Sequence, residues 1–81
     1  MKEEPFLVKV SDLGAAATLV ACEFEVIRTF RDPSGRIYFV FNASVALDET
    51  MNGYFTGVLK VSARKLFDSI KMLKDRIYAE R

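Results

Sequence analysis

Apolar and polar residues follow two rhythms along this chain, and the change of rhythm marks its elements. Over residues 24–42 the period is two. Phe24, Val26, Arg28 and Phe30 share one side of an extended segment, and Glu25, Ile27, Thr29 and Arg31 the other. A second segment, residues 36–42, sets Ile37, Phe39 and Phe41 against Tyr38 and Val40. Between them Asp32, Pro33, Ser34 and Gly35 supply turn chemistry: an acceptor side chain, a fixed φ, and a residue tolerant of positive φ. This stretch holds four of the seven phenylalanines. It predicts a β-hairpin around which the rest of the chain packs. Two registers are open. A glycine bulge at Gly35 shifts the pairing by one residue and changes which faces coincide. An unbulged four-residue turn aligns Phe24, Val26 and Phe30 with Ile37, Phe39 and Phe41 as one core face, and hydrophobicity favours it.

Elsewhere the spacing is helical. Residues 6–10 are extended and would add a third strand, and residues 1–5, rich in charge, read as a frayed end. Ser11 offers an N-cap with Asp12 in the first turn. Leu13, Ala16, Ala17, Val20 and Ala21 then predict a first helix whose small side chains would lie close to the sheet. Residues 44–52 predict a second helix, with Leu47, Met51 and Tyr54 or Phe55 on one face and Asn52-Gly53 as a left-handed stop. A third begins at Ser62 and runs to about Tyr78, its apolar stripe being Leu66, Ile70, Leu73 and Ile77 with Phe67 and Tyr78 on the flank. Val61 and Leu66 fit a hydrophobic staple across its start. The expectation is one α+β domain over residues 1–81, with an antiparallel sheet of two or three strands, three helices, and the order β-α-β-β-α-α.

Composition narrows the functional classes. A chain of 81 residues has a small core, but 51% hydrophobic residues make it globular. No histidine is present, and the one cysteine, Cys22, has Glu23 rather than a base or cation beside it. That removes catalytic triads, Cys-His dyads and most zinc sites. Cys22 reads as a small buried hydrophobe. Asp48 and Glu49 are adjacent, so on a helix they point apart and cannot share a proton. Glycines at 14, 35, 53 and 57 fit no phosphate loop. The chain is therefore expected to be no enzyme, with no cofactor and no metal. Without an apolar run long enough to span a bilayer or a signal peptide, it is expected in the cytoplasm, away from membranes.

Val10, Ser11, Asp12 and Leu13 open an alanine-rich helix. Arg36, Ile37, Tyr38, Phe39, Val40 and Phe41 follow, then Tyr54 to Gly57, then Val61, Ser62, Ala63 and Arg64, and the chain closes on Leu73, Lys74, Asp75, Arg76, Ile77 and Tyr78. This whole-chain pattern is similar to a family of small prokaryotic domains of unknown function. The resemblance implies a compact α+β domain and supplies no activity or site residues.

Two binding surfaces remain. Tyr38 and Val40, with Ile27 close by, lie opposite the favoured core face, and Tyr54 and Phe55 are a second aromatic pair. These five form a candidate patch for a protein partner or a weak homodimer. Charge supplies the other. Residues 1–57 carry five basic and eight acidic side chains, whereas 58–81 carry seven basic and three acidic. Arg64 and Lys65 stand in the first turn after Ser62, where cations oppose the helix dipole. Ser62, Arg64 and Lys65 are thus a candidate anion site. A protein-interaction module is the leading expectation, and a nucleic-acid or other polyanion-binding accessory protein using the basic C-terminal helix is the alternative.

Overall fold

The computed structural model describes residues 6–79, so the expected frayed end at residues 1–5 lies outside them. Its elements are β1 (Leu7–Val10), α1 (Leu13–Ala21), β2 (Arg28–Arg31), β3 (Ile37–Asn42), α2 (Val45–Thr56) and α3 (Ala63–Ala79). The strands form one antiparallel sheet in the order β1-β3-β2. The segment at residues 6–10 is thus a third strand, and β3 runs through the middle.

The hairpin adopts the bulged register. Asp32 N–H donates to Arg36 O (3.0 Å) and Gly35 N–H to Asp32 O (2.9 Å), with Gly35 at φ 94°. The Asp32 carboxylate accepts from the Ser34 hydroxyl (2.7 Å) and from the Ser34 and Arg36 amides. Three donors meeting one carboxylate outweigh the hydrophobic alignment. Phe30 consequently faces Tyr38, and Thr29 faces Phe39. The expected core face is corrected at Phe30, which lies on the outer side and is 41% exposed. Phe24 and Val26 still reach the core. A second irregularity explains why: Ile27 N–H donates to Val40 O (2.8 Å), although Arg28 is the residue paired with Val40. Two successive residues oppose one, which is a β-bulge, and the alternation reverses upstream of it.

The helices pack on the side of Phe39, Phe41, Val10 and the half-buried Val8 and Ile37. α1 is buried almost all round, as its alanine run permits: Ala15, Ala16, Ala17 and Leu19 are inaccessible. Leu47 of α2 and Leu73 of α3 complete the core. The molecule measures 20 Å along its shortest axis, the thickness of one sheet and one helical layer.

Two helix ends differ from expectation. Asp12, not Ser11, caps α1, its carboxylate accepting from Ala15 N–H at 3.0 Å. Starting one residue later places a negative charge at the helix N-terminus and satisfies an orphan amide together. α2 passes through Gly53 and ends at Gly57, φ 80°, where Gly57 and Val58 N–H return to the carbonyls of Tyr54 and Gly53. Gly53 is no stop. A Cβ there would come within 3.2 Å of the Leu59 Cβ, so the glycine lets the chain fold back against its own helix.

Candidate binding surface on the open sheet face

Alternation along β3 sends Tyr38, Val40 and Asn42 away from the helices, together with Leu7 and Lys9 of β1 and Arg28 and Phe30 of β2. Among the described residues no helix packs on this outer face. Its centre is one row across all three strands, Lys9 opposite Val40 opposite Arg28. Val40 is nevertheless only 1% exposed. Among the described residues, the side chains around it belong to the two edge strands. Leu7, Lys9, Arg28 and Phe30 wall a shallow recess of about 240 Å³ with Val40 as its floor.

Lys9 Nζ stands 5.1 Å from the Phe30 ring centre and 5.7 Å from that of Tyr38, and these rings are 6.0 Å apart at 40°. Ring quadrupoles thus hold the ammonium in place, each such contact contributing about 0.5–1 kcal/mol when exposed. Among the described residues neither Lys9 nor Arg28 is ion-paired with a carboxylate. At the hairpin end the Arg31 guanidinium donates to Gly35 O (3.2 Å). The Ser34 hydroxyl, aided by the Arg36 and Ser34 amides and Tyr38, holds the Asp32 carboxyl below its ordinary pKa. Among the described residues the outer face therefore presents apolar and aromatic surface with positive charge that no carboxylate pairs, and no further strand pairs with either sheet edge.

A model of the family described as Domain of unknown function (DUF5659) matches residues 7–79. The chain belongs to that family. The DUF5659 match begins at the first residue of β1 and ends at the last of α3, so it spans all six elements. No curated protein and no solved structure matches the chain.

The other candidate residues of this DUF5659 domain lie elsewhere. Tyr54 and Phe55 meet edge to face (4.9 Å, 76°) in the helical layer, Tyr54 half-buried with its hydroxyl against Gly14 and Phe55 exposed. The five-residue patch is therefore not one surface. Tyr38 and Val40 share the open face, Ile27 sits at the bulge beside Arg28, and Tyr54 and Phe55 stand apart. The Ser62 hydroxyl caps α3, accepting from Lys65 N–H at 3.2 Å. Arg64 lies 3.6 Å from Asp68, and Lys65 donates to Glu23 at 3.0 Å. Both cations of the candidate anion site thus face a carboxylate. Cys22 is half-buried at the end of α1, and Asp48 and Glu49 are exposed. Among the described residues no helix is long and apolar enough to cross a membrane, and no group of His, Cys, Asp and Glu could hold a metal ion.

Lys9, Arg28, Leu7 and Phe30 are the site residues that sequence reasoning missed. Each sits in an alternating strand pattern, but their meeting around Val40 depends on strand order and on the bulged register.

Proposed function

We propose that this DUF5659 domain is a non-enzymatic protein-interaction module of the cytoplasm that docks its partner on the open sheet face. The observation that carries the reading is the row Lys9, Val40 and Arg28 beside the Phe30–Tyr38 pair, closed over Val40 by side chains alone, with no helix over it among the described residues. Charge complementarity indicates a partner with apolar and acidic side chains. A second copy pairing through β2 would bring Arg28 and Arg31 against their own kind, which disfavours self-association at that edge.

A second reading has its own support. Phe67, Lys71, Lys74 and Tyr78 recur at spacings of four, three and four on one side of α3, and Phe67 and Tyr78 are 70% and 64% exposed. Aromatic and basic residues so interleaved suit a nucleic acid or another polyanion. One experiment separates the two. The immobilised domain, Tyr38→Glu and Lys71→Glu are each challenged with cell extract and with labelled oligothymidylate, folding being checked by circular dichroism. Proteins lost on Tyr38→Glu and retained on Lys71→Glu support the docking face. Equal retention by both variants overturns it, and salt-sensitive oligonucleotide binding lost on Lys71→Glu favours the second reading.

A further inference from the structure

We infer that the recess over Val40 is an anchor pocket for an extended peptide in which a large apolar side chain is flanked by carboxylates. This rests on the docking reading and names the chemistry of the partner at that face. At about 240 Å³ the recess is smaller than the roughly 300–1,000 Å³ of drug-sized ligand pockets, so it suits one side chain. Its floor and two walls, Val40, Leu7 and Phe30, are apolar. Two further walls among the described residues, Lys9 and Arg28, are cations on opposite sides of Val40 in the same cross-strand row. Adjacent strands are about 4.8 Å apart, so the two cations flank the pocket a strand's width from its centre. An extended peptide repeats its facing side chains every second residue, about 6.7 Å, within reach of two long flexible cations. Among the described residues Lys9 is held over the Phe30 and Tyr38 rings and on no acid, which leaves its donors directed by aromatic surface and available to a carboxylate. The hairpin adds positive charge beyond Tyr38: Arg36 is exposed, and the carboxylate of Asp32 is engaged in the turn. Such a peptide places its apolar side chain on Val40 and a carboxylate against each cation.

The test uses a capped peptide alternating threonine with leucine and glutamate, and a counterpart with glutamine for glutamate. Decanoate and oligothymidylate serve as comparison probes, with binding followed through amide chemical shifts of the whole domain. The glutamate peptide is expected to move the amides of β1, β2 and β3, leave those of α3 still, and weaken with salt. Lys9→Gln and Arg28→Gln should each weaken it about two- to fivefold, the range set by exposed ion pairs. The glutamine peptide should bind the wild type about as the glutamate peptide binds the double variant. Equal affinity for both peptides, or a response unchanged in the double variant, overturns the inference. Tighter binding of decanoate at these strands reassigns the pocket to a free apolar acid, and tighter oligothymidylate binding there to a nucleic acid; either outcome overturns it. Cell proteins lost on Tyr38→Glu but kept by the Lys9→Gln, Arg28→Gln double variant would leave the docking face standing and sink the anchor pocket alone.

Discussion

The two faces of β3 bury neighbouring residues to the same degree by different means. Phe39 and Phe41 are at most 1% exposed because three helices close over them, and Val40, between them in sequence, is 1% exposed beneath the side chains of Leu7, Lys9, Arg28 and Phe30. The first cover is fixed by the whole fold. The second consists partly of flexible cations whose stems lie over apolar surface while their charges stay wet. Fractional exposure alone cannot distinguish a core from a lidded pocket. The distinction matters for function, because a lid of side chains can open with no rearrangement of the backbone.

The largest expected effect lies on the helical side. Phe41→Ala should cost about 3–5 kcal/mol, a large part of the total stability of a domain this size. Urea unfolding measures it, and a loss under about 1 kcal/mol would mean that the helices do not seal this face. The sharper test replaces one methyl by a hydroxyl on each face. Val10→Thr puts an unpartnered hydroxyl into the helical core and should cost about 1–3 kcal/mol. Val40→Thr, where a shifted Lys9 or Arg28 can admit water, should cost under about 1 kcal/mol. Equal losses would erase the proposed difference between the faces. Lys9→Ala should be milder still, since a surface change of this kind usually stays within about 0.5 kcal/mol. It should nevertheless increase the binding of an apolar dye by uncovering Val40, and unchanged dye fluorescence would count against the lid.

Local chemistry was legible in the sequence wherever the deciding atoms are near in the chain. The hairpin, all three helices and the Ser62 cap are of this kind, the cap accepting from an amide three residues on. What was hidden depends on distant residues. Gly53 and Gly57 look alike as helix stops, and Leu59 packing on Gly53 decides between them. The left-handed end of α1 falls on Glu23, φ 75°, where composition offers no glycine to signal it; Phe24 N–H bonding to Leu19 O closes the helix there. Tyr38 and Val40 were readable as site residues because alternation alone separates them from Phe39 and Phe41. Lys9 and Arg28 were not, since a row made of residues 9, 40 and 28 exists only once β3 is central and the turn is bulged.

That last dependence makes Asp32 the control point of the comparison, because its turn places Phe30 and Arg28 on the outer face. Its carboxylate is stabilised as the anion chiefly by the Ser34 hydroxyl, then by the Arg36 and Ser34 amides, so its pKa in the folded protein lies below that of the unfolded chain. A depressed carboxyl pKa contributes stability that is present above the unfolded pKa and lost as pH falls through the folded one. Asp32→Asn keeps an acceptor oxygen and removes the charge. The variant should be slightly less stable than the wild type near neutral pH, and the gap should close in acid as the wild-type carboxyl protonates. The group is exposed, so this is the smallest of the expected effects. Nuclear Overhauser contacts between Phe30 and Tyr38 report the register in the same samples. If the two proteins differ equally at neutral and acid pH, the charge of Asp32 does not tune the turn. If the contacts vanish in Asp32→Asn while the fold persists, the anion itself sets the register, and with it the membership of the outer face.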